Sequence, residues 1–297
     1  MVKMEKFFFE VIVVGSGLSA KTTIVSLFKK GIIPFWIENI QNYKINDDRT
    51  TMLSPKSFKM FKELGLKDFE KKTFPTKKIN IKTQNQKNFT VFEDKKSLPI
   101  CYLTENNVLH QELDTLISKI EKNKKLVKVK DEIRSIKSDS DNNEIVLKSG
   151  DKIYSSLIIG VDGANSKIRK IQNIKTKDHG IKKFGLLAIM EHETSHPNIS
   201  WQVFSETGIL ALLAKDIKPN KRAVSSLIWS LDKKQIDAIR NLTSKDFEKK
   251  VKEEFGSSLG DLHLISKINE WPIFRIDVPN PTGTRTVLLG DAAHSIY

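Results

Sequence analysis

The chain has 297 residues, enough for a large core and for two packed units. No apolar run approaches the roughly 20 residues of a membrane-spanning helix, no signal peptide is read in the first ten residues, and a lone cysteine, Cys101, excludes an internal disulfide and suits a reducing cytosol. The formal charge of +14, 50 basic against 36 acidic side chains, comes from lysines spread along the whole length without the aromatic interleaving of a nucleic-acid module; nucleic acid is not expected as a partner, whereas a basic surface resting on anionic lipid is compatible with it.

Residues 7 to 14 form an apolar run, residues 18 to 30 have helical spacing (Leu18, Thr22, Val25, Leu27, Phe28), and residues 32 to 38 return to an extended pattern. This strand, helix, strand order predicts a parallel pair joined by a crossover helix. Asn39 to Thr51 reads as polar and irregular, after which Ser54 and Pro55 open a helix that Gly65 stops. Residues 78 to 93 predict a short hairpin, and Asn106 to Lys122 a helix with Leu109, Leu113, Leu116, Ile117 and Ile120 on one face. A meander of short strands is expected over 125 to 160, ending in the buried run Leu157 to Val161. Further strands follow at Trp201 to Phe204, Ile209 to Leu213 and Val224 to Trp229. Two helical stretches lie between 234 and 256, and extended segments at Pro272 to Val278 and Thr286 to Leu289. Without repeats or low-complexity linkers, the domains are expected to interleave.

Three motifs carry chemistry. In GSGLSA at 15 to 20, Gly15 makes the tight turn after the strand, Gly17 lets the backbone approach a pyrophosphate, and Ala20 is small enough for helix-on-strand packing. With Ser16 they form a phosphate cradle on free amides at the positive end of a helix. Glu38, 21 residues after Gly17 (38 minus 17), ends the second strand, where a carboxylate accepts hydrogen bonds from ribose hydroxyls. That fingerprint serves FAD and NAD(P) alike. DGANSKIR at 162 to 169 and GDAAH at 290 to 294 favour FAD: Asp291 falls at the carboxyl end of a strand, where ligands bind in open α/β sheets. His192, Glu193 and His196 spell HExxH, a zinc pattern on a helix. Here Pro197 and strand-like flanks oppose a helix, so no metal site is expected. His294 reads as a turn or packing residue, and Cys101 as a small buried hydrophobe.

Taken in order, the three motifs resemble those of the class A FAD-dependent monooxygenases, the p-hydroxybenzoate hydroxylase-like group, and most of all its ubiquinone-biosynthesis hydroxylases. DDRTTMLSPKSFKMFKELGL at 47 to 66, TENNVLHQEL at 104 to 113, WQVFSETGILALL at 201 to 213 and WPI at 271 to 273 are similar to that subgroup as well. The resemblance implies an α/β fold, with a Rossmann-like FAD-binding domain on a parallel sheet (1–76, 98–179 and 275–297) interleaved with a smaller antiparallel-sheet substrate domain (77–97 and 180–274). By the same resemblance Gly15, Gly17 and Glu38 bind the ADP half of FAD, and Arg49 and Asn106 lie near its pyrophosphate and flavin side. Asp162 and Gly163 belong to a motif used for both FAD and NAD(P)H, closed by Arg169, and Asp291 completes the FAD site. Read without the resemblance, Arg49 is a solvated loop charge and Asn106 a helix N-cap.

The implied activity is hydroxylation of an aromatic, lipid-tailed phenol with oxygen and NAD(P)H or another electron donor. No catalytic residue stands out, since the oxidative chemistry belongs to the cofactor. The implied setting is cytoplasmic, with either peripheral contact at the inner face of a membrane or a place in a ubiquinone-biosynthesis complex. In the family, a proline and a glycine-rich turn follow GDAAHSI, so the chain is expected to be truncated at its C-terminus. A non-catalytic FAD-binding fragment and a related flavoprotein reductase or halogenase stay open as alternatives.

Overall fold

The computed structural model describes residues 7–38, 49–86, 88–122, 126–194, 196–217 and 223–295. Strand β1 (Phe7–Val14) passes through Gly15 to Gly17 into α1 (Leu18–Lys29), which returns to β2 (Phe35–Glu38). Pro34 keeps the segment before β2 out of the ladder, so the extended pattern predicted from residue 32 begins as a strand only at Phe35. Residues 39–48 of the predicted irregular loop lie outside the described residues, but its end, Thr50 and Thr51, is a correction: they open β3 (Thr50–Leu53). Helix α2 (Pro55–Leu64) is bounded as its residue types demand. The Ser54 hydroxyl accepts from the Ser57 amide at 3.1 Å, and Gly65 adopts a left-handed conformation that ends the helix.

Next come β4 (Phe74–Thr76), the hairpin β5 (Lys78–Thr83) and β6 (Thr90–Glu93), β7 (Cys101–Glu105), helix α3 (Asn106–Lys122) and β8 (Val127–Lys130). After them run β9 (Ile133–Ser138), β10 (Asn143–Leu147), β11 (Lys152–Gly160) and the short α4 (Lys167–Ile171). The first sheet has the path β8-β2-β1-β11, on which every pair is parallel. Strand β8 therefore departs from the expected meander; α3 is long enough to cross the sheet and deliver the chain parallel to β2. The antiparallel meander is confined to β9, β10 and the first half of β11.

The second half of the chain builds another sheet from β12 (Lys177–His192), β13 (Ile199–Ser205), β14 (Gly208–Ile217) and β15 (Ala223–Leu231). Helices α5 (Lys233–Ile239) and α6 (Ser244–Phe255) follow, then β16 (Leu262–Leu264) and β17 (Asn269–Asp277). Its path is β16-β12-β15-β14-β13-β5-β6, with β17 also on β12. The pairing is antiparallel except between β13 and β5, which is parallel because the hairpin enters from a distant part of the chain. The short β18 (Thr282–Gly283) and β19 (Thr286–Leu288) then rejoin the first sheet, β19 lying parallel to β11.

Pleating sorts these strands into two interiors. Val11, Val13 and Trp36 pack under α1, α2 and α3, while Ile12, Val14 and Ile37 face the meander through Ile133, Ile145 and Leu147. In the second half, Leu186, Leu210, Leu212, Leu227 and Trp229 are covered by Phe247, Val251 and Phe255 of α6. Burying each such side chain contributes about 1.5 to 3 kcal/mol. Cys101 is buried as well, and burial pushes its thiol up from the ordinary range.

The opposite face of the second sheet meets the first half. Thr50 and Ser226 hydroxyls are 2.8 Å apart, Thr76 and Ser200 hydroxyls 3.3 Å apart, Lys215 pairs with Glu105, and the Arg49 guanidinium lies 4.6 Å over the Trp271 ring.

Candidate cofactor site

Parallel pairing places the carboxyl ends of β1, β2, β11 and β19 on one edge, so Gly15, Glu38, Asp162 and Asp291 gather from four segments that are far apart in sequence. Ligands of open α/β sheets bind along such an edge. Gly15 has a φ of +144°, and a Cβ there would stand 2.2 Å from the Val161 carbonyl oxygen. Its amide donates to Ile37 O at 3.0 Å, and its own carbonyl accepts from the Trp36 indole at 2.7 Å. Beside Gly17 no atom lies within 4 Å of a built Cβ, and this residue caps α1 without a side-chain hydrogen bond. The helix thus begins at an open backbone where its positive end is exposed. Ser16 between them is half-buried, and Ala20 is fully buried against the strands.

The other two motifs are locked to the first and to each other. The Asp162 carboxylate accepts from the amides of Lys167 at 2.7 Å and Ile168 at 3.1 Å, both through Oδ2, capping α4. Gly163 makes the turn, its carbonyl accepting from the Ser166 amide at 3.0 Å. Arg169, 6 % exposed, donates to Ala164 O at 2.5 Å and to Ala292 O at 2.9 Å, tying the DGANSKIR turn to the GDAAH turn. Burial pulls this guanidinium down from its ordinary value, opposed by the nearby Asp162 and Asp178 carboxylates. Gly290, at a φ of +60°, brings the third motif onto the first helix; a Cβ there would lie 2.7 Å from Ser19 Oγ. Asp291 is exposed in the turn that follows, and so is His294, whose amide donates to Gly290 O at 3.0 Å.

Two carboxylate oxygens at this edge fit a hydroxyl-bearing ligand. Glu38 Oε2 and Asp162 Oδ1 are buried and accept no hydrogen bond among the described residues. Among the described residues Lys130 Nζ stands 4.0 Å from Glu38 Oε2, beyond hydrogen-bonding reach. A buried acceptor left unmet costs about 1 to 3 kcal/mol, so a dinucleotide that donates hydroxyls here recovers a standing penalty. With the open amides at Gly17, the residues present fit FAD.

Arg49 and Asn106 are brought together. The Asn106 amide donates to Arg49 O at 2.9 Å, and the Asn106 side-chain oxygen accepts from the Thr51 hydroxyl. Asn106 is buried as the first residue of α3; because α3 feeds the parallel β8, that terminus faces the carboxyl side of the sheet. Arg49 is exposed, and its guanidinium lies over the Trp271 ring of the second half.

Two supporting residues escape sequence reasoning. Trp36 holds the Gly15 carbonyl from the neighbouring strand, and Glu132 is buried between Lys148, at 2.7 Å, and Lys167 of the second motif. The ammonium groups of Lys148 and then Lys167 hold the Glu132 carboxyl below its usual range. A tryptophan two residues before Glu38 was the only cue for the first, and no spacing signals the second.

The HExxH string has no helical geometry. His192 ends β12 and His196 lies in the turn beyond it, their rings stacked at 4.7 Å. Each Nδ1 pairs with a backbone carbonyl, Thr194 O at 2.8 Å and Ile199 O at 2.7 Å, and both Nε2 atoms meet the Ser225 hydroxyl at 3.0 and 3.1 Å. Among the described residues no three His, Cys, Asp or Glu side chains are grouped to hold a metal.

Comparison with known proteins agrees with this geometry. Ubiquinone hydroxylase UbiM of Neisseria meningitidis is 23 % identical over 301 residues, covering 97 % of this chain and 64 % of the relative. The mitochondrial ubiquinone biosynthesis monooxygenase COQ6 of Caenorhabditis elegans is 28 % identical over 246 residues, covering 81 % and 52 %. The chain therefore spans less than two thirds of the length of either relative. In three dimensions it matches PqsL, a probable FAD-dependent monooxygenase of Pseudomonas aeruginosa, with a TM-score of 0.77 at 13 % identity over 98 % of this chain and 80 % of that one, which shows the shared fold. The family described as FAD binding domain matches residues 9–297, and the chain belongs to that family.

Proposed function

We propose that the chain serves FAD-dependent hydroxylation of an aromatic ring, acting on a polyprenylated phenol of ubiquinone biosynthesis with oxygen and NAD(P)H or another electron donor. The observation that carries this reading is the gathering of three separated motifs on one sheet edge, with two unmet carboxylate oxygens among them. The names of the relatives, a ubiquinone hydroxylase and a ubiquinone biosynthesis monooxygenase, support the substrate class.

In this proposal residues 1–76, 98–179 and 275–297 form the FAD-binding domain, and residues 77–97 and 180–274 the substrate domain. Gly15, Ser16 and Gly17 offer backbone to the pyrophosphate, and Glu38 accepts from the adenosine ribose. Asp162, Gly163 and Asp291 serve the rest of the dinucleotide, with Arg49 and Asn106 towards the pyrophosphate and flavin side. Bound FAD supplies the transfer of electrons and the activation of oxygen. The protein's own part is to bind, orient and exclude water. Its second sheet presents half-buried Leu187, Ile228 and Ala211 in one cross-strand row, on the face whose Ser226 and Ser200 touch the first half. A ring with an apolar tail is matched by that surface. A lipid-tailed substrate places the protein at the inner face of a membrane, in peripheral contact or within a ubiquinone-biosynthesis complex.

The test is direct. The purified chain is loaded with FAD, reduced with NAD(P)H and supplied with a prenylated phenol and isotopically labelled oxygen. Incorporation of one labelled oxygen atom into the ring is the expected result. Retention of flavin without incorporation overturns the hydroxylase reading in favour of a non-catalytic flavin-binding chain, and failure to retain flavin overturns the cofactor assignment itself.

A further inference from the structure

We propose that the β5–β6 hairpin and the turn after it form a docking surface for an anionic lipid bilayer. Among the described residues strand β6 pairs with β5 alone and is a free edge of the second sheet. There Phe92 is 53 % exposed and Leu98, in the following turn, 57 % exposed, large apolar side chains held in water at an edge where sheets normally carry polar ones. The turn is rigid. The Asp94 carboxylate accepts from the Lys96 amide at 2.8 Å and the Leu98 amide at 3.5 Å, and Asp94 O accepts from the Ser97 amide at 2.9 Å.

Charge selects the partner. The two acids of this segment are engaged, Glu93 with Lys78 at 2.8 Å and Asp94 with its own turn, while exposed Lys77, Lys95 and Lys96 make no ion pair among the described residues. Unpaired cations in the same hairpin and turn as exposed Phe92 and Leu98 match a bilayer whose headgroups are anionic and whose interior takes up the two apolar side chains. A nucleic acid has no counterpart for Leu98, and a second copy pairing along β6 would set these lysines against one another.

Register links this edge to the substrate face. Ile189, Ser226, Leu213, Ser200, Ile79 and Phe92 lie in one cross-strand row, so the surface that ends at Phe92 begins under the first half of the molecule. This surface would be the peripheral membrane contact of the proposed function, and only its biological purpose rests on that reading.

The experiment is co-sedimentation of the full chain with phosphatidylcholine vesicles, with and without phosphatidylglycerol, at physiological salt. The expected result is binding to the anionic vesicles alone, weakened about tenfold in K95E/K96E and in F92S/L98S, with unchanged far-ultraviolet circular dichroism and melting in both variants. Three results would overturn it: no binding to anionic vesicles, equal binding by the variants, or a greater loss of oligonucleotide binding or self-association than of vesicle binding. Vesicle binding is read without substrate or flavin, so failure of the hydroxylase assay leaves this result standing, and K95E/K96E is expected to turn over a short-tailed phenol in detergent as the parent does.

Discussion

The carboxyl edge of the first sheet and the face of the second sheet are built on opposite principles. At the edge the backbone sets the site, through the amides beyond Gly17, the turn at Gly15 and the close approach of Gly290 to Ser19, with the Glu38 and Asp162 carboxylates at the strand ends beside it. On the second sheet side chains set the face, Leu187, Ile228 and Ala211, from three strands aligned only by register. A backbone site tolerates almost no added atom where it is tight, whereas a side-chain face is tuned by volume and charge.

The sharpest break in that contrast comes from Gly15→Ala. With the Cβ forced to 2.2 Å from Val161 O at a φ of +144°, the variant is expected to lose at least about 3 kcal/mol of stability and all FAD binding, read by urea unfolding and flavin fluorescence. The second half responds instead to protons. Burial lowers the His192 imidazole below its ordinary value and the His196 imidazole from 6.5 to about 4. The unfolded chain takes up a proton at His196 below pH 6.5 while the folded chain stays neutral to about pH 4, so the stability from this group is complete above 6.5 and lost as pH falls through that window. The expected loss is about 3 kcal/mol. Denaturant midpoints across that range should slope in the parent and flatten in His196→Asn.

Arg169→Met joins the two ideas, because a side chain there holds two backbone turns. Leaving Ala164 O and Ala292 O without their donor is expected to cost about 2 kcal/mol and to weaken FAD, with Arg169→Lys recovering part of both. The smallest expected effect is that of Glu38→Gln. With Oε2 already unpartnered among the described residues, the melting temperature without FAD should hold, while FAD affinity falls about tenfold, or about 1.4 kcal/mol, measured by fluorescence titration. Equal affinity in the parent and the variant would remove Glu38 from the site.

Much of this molecule is legible in its letters. The turn at Gly15, the start of α2 at Ser54 and its end at Gly65 follow from rules acting over a few residues, and the structure places them accordingly. The hairpin and α3 likewise follow from local periodicity. The place of β8 in the parallel sheet, the parallel pairing of β13 with β5 and the strand that begins at Thr50 were not legible, because each depends on a partner remote in sequence. For the same reason Trp36 and Glu132 carry no motif, and the stacking of Arg49 on Trp271 joins residues that no spacing relates.

By itself, then, the sequence determined the three motifs, the bounds of α2 and α3 and the strand, helix, strand order of the first unit, since glycine conformations, caps and hydrophobic periods are set by neighbouring residues. Tertiary structure alone decided that four strand ends share one edge, that Arg169 bridges two motifs, and that one row of side chains runs from Ile189 to the free edge at Phe92. Those relations are matters of register and crossover, which the chain settles only when its apolar faces are buried against one another.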